Sequence, residues 1–170
     1  LHAVIPALWR NPLLVAASLL FYAWGEPVWV SLIVFSALID YRMGRAIAAE
    51  TGKARRIGYL SVSLGVNLGL LSVFKYGAFF MENLNDVLGL SLPVLKLSLP
   101  VGISFYTFQT VSYVVDVYRG RAQPQEHFLD YLLFVSLFFQ LVAGPIVRYP
   151  QIAAEIRQRE LSWDAVMQGL

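Results

Sequence analysis

Residues 99–120 (LPVGISFYTFQTVSYVVDVYRG) carry the side chains in this sequence that first suggest chemistry. At helical spacing Gln109, Ser112 and Asp116 fall on one face of a helix, together with Phe105. In an apolar environment such polar groups require water, a substrate or another polar helix as partners. Lining a substrate path is therefore one interpretation of the three side chains, and hydrogen bonding between helices is the other.

Arg148 is a fourth candidate, because it follows a predicted helix break at Gly144 and Pro145. A break frees backbone carbonyl groups, and a guanidinium group can donate to them or hold a phosphate of an anionic acyl donor. The alternative is that Arg148 only anchors the chain at the cytoplasmic surface. Substrate binding at Arg148 remains a hypothesis beside this simpler role.

No catalytic residue can be assigned from the sequence. The chain has two histidines, His2 in an apolar segment and His127 in a polar loop, and we interpret both as bystanders. It contains no cysteine, which excludes disulfides and thiolate metal sites. It also lacks nucleophile-elbow, zinc-protease and phosphate-loop motifs. We therefore expect no metal and no bound cofactor.

The composition predicts a membrane protein. Hydrophobic residues make up 58% of the 170 residues and charged residues 14%, whereas soluble domains have about 45–50% and about 25%. The net charge of +2 comes from 13 basic and 11 acidic residues. The basic residues cluster in short loops instead of forming a stripe, so nucleic acid is not an expected partner.

The sequence GEP at residues 25–27 interrupts about 27 otherwise uncharged residues. A continuous helix would place Glu26 near the bilayer centre and Pro27 where its ring clashes with the preceding turn. We therefore predict one helix over residues 13–24, a tight turn, and a second helix with Pro27 at its first position.

The loops predict how these helices are oriented in the membrane. Residues 40–56 carry five basic side chains, which places that segment in the cytoplasm and the GEP turn outside. A third span is predicted over residues 57–74, with an external loop after it. Within this span Ser61, Gly65 and Gly69 predict a face that another helix can approach closely.

Residues 128–150 are too short in their apolar part to cross comfortably and predict a partial, re-entrant or kinked segment. Residues 151–163 suit a helix that lies in the membrane interface, and a helix in a soluble loop is the alternative. The predicted fold class is therefore all-α: a polytopic transmembrane protein with short, broken and re-entrant helices, in which residues 1–170 form part of one membrane domain.

In their order and spacing, four stretches resemble the membrane-bound O-acyltransferases. The resemblance is to the bacterial branch that contains the alginate O-acetyltransferase membrane protein and the D-alanyl transfer protein of teichoic acid synthesis. The four stretches are LFYAWGEP, NLGLLSVFKYGAFF, LPVGISFYTFQTVSYVVDVYRG and FFQLVAGPIVRY. The resemblance implies an enzyme that moves an acyl group from a cytoplasmic thioester to a hydroxyl group or partner on the far side. The family's histidine is expected beyond residue 170. We therefore expect an amino-terminal portion, truncated at both ends and inactive alone.

The same resemblance implies the substrates and partners. The donor is expected to be acetyl-CoA or an acylated carrier protein, and the acceptor an exported polysaccharide such as alginate. A periplasmic or extracellular acetyltransferase partner and a multi-pass location in the bacterial inner membrane are also expected. The alternative function is a transporter or assembly subunit of polysaccharide export, because broken helices and polar membrane stripes also form transport paths.

Overall fold

The computed structural model describes residues 7–91, 93–94, 97–137 and 149. These residues form helices without any strand, which confirms the all-α prediction for this part of the chain. The helices are α1 (Ala7–Gly25), α2 (Val30–Ala49), α3 (Lys53–Leu88), α4 (Ile103–Tyr118) and α5 (Phe128–Ser136).

The predicted break at the GEP sequence is confirmed, because α1 ends at Gly25 and α2 begins at Val30. The predicted helix starts need correction. Pro27 lies in a turn three residues before α2, where the Trp29 amide donates to the Glu26 carbonyl. At the other end, α1 begins at Ala7 and includes Pro12, so it is longer than residues 13–24.

Helix α2 continues through most of residues 40–56, the segment that is predicted to be a cytoplasmic loop. The connection to α3 is reduced to residues 50–52. There the backbone N–H of Gly52 donates to the Glu50 carboxylate, as does that of Thr51, and Arg55 pairs with the same carboxylate at 3.4 Å. The Gly52 N–H contributes most to holding the pKa of Glu50 below its ordinary value. A tight charged turn therefore joins two long helices.

Helix α3 is longer than the predicted span. Its 36 residues correspond to about 54 Å, whereas the hydrocarbon core of a bilayer is about 30 Å thick. The predicted external loop after residue 74 is instead helical as far as Leu88, and Gly89 ends the helix with φ of 63°. Among the described helices, α3 is the one long and apolar enough to cross a membrane.

Helix α2 is the centre of the fold, because it packs against α3, α4 and α5, while α1 packs mainly against α5. The side chains in this core are aliphatic and aromatic. Those that are fully buried include Ile33, Ile47, Ile103, Tyr106, Tyr113, Val114, Tyr131 and Phe134.

Contacts between the helix ends bring most of the described basic residues to one end of the bundle. The Tyr41 hydroxyl at the end of α2 donates to the Glu126 carbonyl before α5, at 2.6 Å. Arg56 at the start of α3 donates to the Tyr118 carbonyl at the end of α4, at 2.7 Å. We call this end the basic end; its exposed cations are Arg42, Arg45, Lys53, Arg55, Arg119 and Arg121.

The predicted small-residue face of α3 makes no packing contact within the described part of the chain. Ser61, Gly65 and Gly69 are exposed, and a Cβ atom added at either glycine would meet nothing within 4 Å. The buried face of α3 consists instead of Ser63, Asn67 and Leu71. The prediction of a close helix approach along Ser61, Gly65 and Gly69 is therefore wrong for these helices.

Candidate functional site

A group of polar side chains lies between α2, α3 and α4. We call this group the Asp40 network. All of its members are at most 1% exposed, and they are Ser36, Asp40, Ser63, Asn67 and Thr110.

Asn67 joins the three helices of this network. Its amide nitrogen donates to both Asp40 carboxyl oxygens at 2.9 Å. Its amide oxygen accepts from the Ser36 hydroxyl at 2.7 Å and from the Thr110 hydroxyl at 3.3 Å. The Ser63 hydroxyl donates to Asp40 Oδ1 as well. A single amide therefore connects α2, α3 and α4.

Helical spacing explains how the local sequence builds the network. Ser36 and Asp40 are four residues apart on α2, and Ser63 and Asn67 are four residues apart on α3, so each pair lies on one helix face. This site was not predicted, because the charged segment that begins at Asp40 indicates a loop and not a continuing helix. Small polar residues at this spacing in two apolar segments were the signal that would have found it.

Three tyrosines pack beside the Asp40 network and form a second cluster. The ring of Tyr113 lies 4.6 Å from that of Tyr131 and 5.0 Å from that of Tyr149, measured between centroids. The Tyr113 hydroxyl accepts from the backbone N–H of Gln125 at 3.0 Å. Gly44 on α2 faces Tyr113 so closely that an added Cβ atom would lie 2.9 Å from its Cε1 atom. Through Tyr113, which contacts both Gly44 on α2 and the Gln125 backbone before α5, the tyrosine cluster extends from the Asp40 network to the basic end.

Gln109, the first predicted site residue, is buried and contacts α5. Its amide nitrogen donates to the Phe134 carbonyl at 2.8 Å. Helix α5 ends at Ser136, so the Phe134 carbonyl is one of the terminal groups that its own helix leaves free. Gln109 therefore stabilises the end of a short helix. A role in lining a substrate path stays a prediction.

The other predicted site residues do not converge on Gln109. The Ser112 hydroxyl donates to the Gln109 carbonyl at 2.8 Å, within its own helix. Asp116 is 6% exposed, and in the described residues no ion pair joins it to Arg119, which lies three residues further along the chain. Phe105 is 41% exposed. Arg148 lies outside the described residues, so its predicted role is not tested.

A cavity of about 610 Å³ lies at the basic end, between the first turns of α1 and α5. Its volume is in the range of small-molecule sites. On one side the Asn11 amide donates to the Asp130 carboxylate at 2.7 Å. His127 is in the lining, at the start of α5. In the described ranges, no group of three or more acidic or histidine side chains is arranged to hold a metal ion.

We expect Gln109→Leu to destabilise the protein by about 1–3 kcal/mol, because the buried Phe134 carbonyl would lose its donor. The abundance of the full-length protein in membranes and its thermal unfolding in detergent measure this effect. Ser112→Ala is the control, since its hydroxyl bonds only within the helix, and it should leave both values nearly unchanged. Normal abundance with reduced acyl transfer would instead support a path-lining role for Gln109.

We expect Asp116→Asn to be mild, with a change in the free energy of unfolding below about 1.5 kcal/mol, because asparagine conserves the volume of the side chain. A further reason is that, among the described residues, no side-chain hydrogen bond or ion pair holds this carboxylate. Thermal unfolding of the two proteins side by side measures the effect. A large loss of stability would reveal a partner in the rest of the protein.

Comparison with known proteins gives several relatives that cover nearly the whole chain. The chain is 35% identical over 168 residues to the probable alginate O-acetylase AlgI of Pseudomonas putida, which is 95% of this chain and 34% of that protein. It is 34% identical to the protein of the same name from Azotobacter vinelandii, over 99% of this chain and 35% of that protein.

A relative with a different acceptor in its name is the peptidoglycan O-acetyltransferase of Helicobacter pylori, which is 33% identical over 93% of this chain and 36% of that protein. The chain thus spans about a third of the length of these relatives. No family model and no solved structure matches. The resemblance to the membrane-bound O-acyltransferases, in the branch of the alginate O-acetylases, is therefore confirmed for a chain that corresponds to about a third of such a protein.

Proposed function

We propose that the protein containing this chain transfers acetyl groups to hydroxyl groups of a cell-envelope polysaccharide. The observation that carries the proposal is similarity over more than nine tenths of the chain to relatives named for alginate and for peptidoglycan. These two acceptors differ, but both are O-acetylated, so each presents a hydroxyl group to the acetyl donor. The acetyl transfer is the shared element, and alginate is the acceptor we favour.

The reaction defines what this chain has to contribute. The acceptor oxygen attacks the carbonyl carbon of the thioester, the carbon–sulfur bond breaks, and the hydroxyl proton passes through a general base to the departing thiolate. Such a base is expected outside residues 1–170. This chain then contributes the helical scaffold and, in our proposal, a path lined by Gln109, Ser112 and Asp116 that leads from a donor held near Arg148.

We place the donor, acetyl-CoA or an acylated carrier protein, at the basic end. Both donors are anionic, and the six exposed cations at this end outnumber the four acidic groups near them, which are Glu50, Asp116, Glu126 and Asp130. An acetyltransferase partner on the other side of the membrane would receive the group. Acetyl groups would then move from the basic end of the bundle toward the turn between α1 and α2.

Helix lengths support a multi-pass arrangement in the inner membrane. Helices α1 and α2 have 19 and 20 residues, and at 1.5 Å per residue each is about 30 Å long, close to the hydrocarbon thickness. Together with α3 they would form consecutive antiparallel spans. The basic end would lie in the cytoplasm, where short loops rich in arginine and lysine are retained.

The orientation predicts which side of the membrane each turn faces. A cysteine at Glu26 should react with an impermeant thiol reagent in cells whose outer membrane is permeabilised, and a cysteine at Thr51 should react only after the inner membrane is opened. Both residues lie in turns between helices, and the described chain has no native thiol to interfere. The opposite pattern of labelling would show that the orientation is reversed.

The activity is tested with the full-length gene in a strain that lacks its own polysaccharide acetylase. Base-labile acetate on purified alginate and on peptidoglycan is the measurement, with the empty vector as the control. Acetate on alginate supports the proposal with its favoured acceptor, and acetate on peptidoglycan alone reassigns the acceptor. No acetate on any envelope polysaccharide, with the protein present in the membrane, would contradict the proposed reaction.

A further inference from the structure

The Asp40 carboxyl group is surrounded by neutral hydrogen-bond partners. Its oxygens accept from Ser63 and from the Asn67 amide, and the residue has no exposed surface. The ion pair between Arg55 and Glu50 is at the surface and does not involve Asp40. Asp40 therefore lies between three helices without a basic side chain to balance a negative charge.

Each helix around Asp40 contributes either neutral groups or a tyrosine. From α3 come Ser63 and Asn67, neither of which titrates. The tyrosines that face this region are Tyr41 on α2, Tyr113 on α4 and Tyr131 on α5. Phenol groups are uncharged at neutral pH. No cation from these helices offsets an ionised Asp40.

We propose that Asp40 is a buried proton-binding site whose carboxyl group is neutral in the folded protein. An isolated carboxylate inside a protein or a bilayer is strongly unfavourable, because its hydration is lost and nothing replaces it. Hydrogen bonds from Ser63 and Asn67 favour the anion, but both donors are neutral, so they do not replace the hydration that an ionised carboxylate loses. The proton removes the buried charge while it leaves these hydrogen bonds to the carbonyl oxygen in place.

The Tyr131 hydroxyl is the second member of this site. It is fully buried and has no hydrogen-bond partner in the described part of the chain. Asp40 is the acidic group that interacts with it electrostatically. Asp40 Oδ1 accepts from two side chains, whereas Oδ2 accepts from Asn67 alone. A proton on Oδ2, shared with the Tyr131 hydroxyl through one buried water, gives both groups a partner.

Infrared spectroscopy of the full-length protein in lipid nanodiscs at neutral pH tests the charge state. A neutral carboxyl group gives a carbonyl stretch that is separate from the amide band and shifts in heavy water. We expect this band in the wild type, and we expect Asp40→Asn to remove it. Asp116→Asn is the matched control and should retain it. The absence of such a band, or its survival in folded Asp40→Asn, would overturn the proposal.

Tyr131→Phe keeps the experiment decisive even where Asp40→Asn does not fold. This variant keeps the ring and removes only the hydroxyl, so the Asp40 carbonyl band should persist and move to higher frequency as its hydrogen bond is lost.

A bound sodium ion is the competing explanation for a buried carboxylate. A melting temperature that falls clearly when choline replaces sodium would show an ionised Asp40 with bound sodium and would contradict the proposal. The result is independent of the acetyl transfer assay.

Discussion

Replacing Asn67 with leucine is expected to lower the free energy of unfolding by about 3 kcal/mol, because it leaves the buried Ser36 hydroxyl and one Asp40 carboxyl oxygen without partners. The Asn67 amide donates to Asp40 and accepts from Ser36 and Thr110, which lie on two other helices. Leucine has a similar volume but neither donates nor accepts. Membrane abundance and thermal unfolding of the full-length protein measure the effect.

Two further variants identify the cause of this loss. Asn83→Leu makes the same change on the exposed side of α3, where the Asn83 amide donates only to the Phe79 carbonyl of its own helix, so little change is expected. Asn67→Asp keeps the size but removes the donor that faces Asp40. Near-normal stability of Asn67→Leu would show that packing, and not hydrogen bonding, holds α2, α3 and α4 together.

The proposed proton on Asp40 explains why such a polar centre can exist in this protein. Interhelical hydrogen bonds within membranes contribute only about 0.6 kcal/mol on average, which is too little to offset a buried charge. With a neutral Asp40 carboxyl group the network contains no charge, and its hydrogen bonds then make a net favourable contribution to the free energy of folding. It then determines the register of three helices, because a shift of α3 by one residue would separate Asn67 from Asp40.

Local chemistry made part of this fold predictable. The break between α1 and α2 follows from Gly25 and Pro27, whose backbone requirements act within a few residues. The helical class follows from long apolar segments in which strand-type alternation is absent. The Gln109 side chain was identified as important because a polar group in an apolar helix must find a partner, and its partner is on α5.

Contacts between distant segments were not predictable in the same way. The end of α2 was placed near Asp40 because charged residues usually mark loops, but here the carboxyl group faces inward to Asn67, which is 27 residues further along the chain. Likewise, the face of α3 that packs was assigned from its glycines. The polar face packs instead, since Ser63 and Asn67 have partners on α2 whereas Gly65 has none.

Gly44→Val is expected to destabilise the protein by about 3 kcal/mol, the upper part of the range for overpacked cores. A Cβ atom at Gly44 would lie 2.9 Å from Tyr113 Cε1 and 3.0 Å from the Tyr113 hydroxyl oxygen. Tyr113 has no room to move, because it is fully buried, its ring packs on Tyr131, and its hydroxyl accepts from the Gln125 amide. Thermal unfolding and membrane abundance again provide the measurement.

Helix propensity alone predicts that replacing Gly44 with alanine raises the free energy of unfolding, whereas the contact with Tyr113 predicts that it lowers it. Gly44→Ala is therefore the decisive comparison. Alanine is favoured over glycine inside a helix by about 1 kcal/mol, and Gly65→Ala on α3 should show this gain because nothing lies within 4 Å of its added Cβ atom. At Gly44 the contact with Tyr113 should outweigh the gain and give a net loss. Equal stabilisation by the two alanine variants would contradict close packing between α2 and α4, and the tyrosine cluster would then be free to shift relative to Asp40.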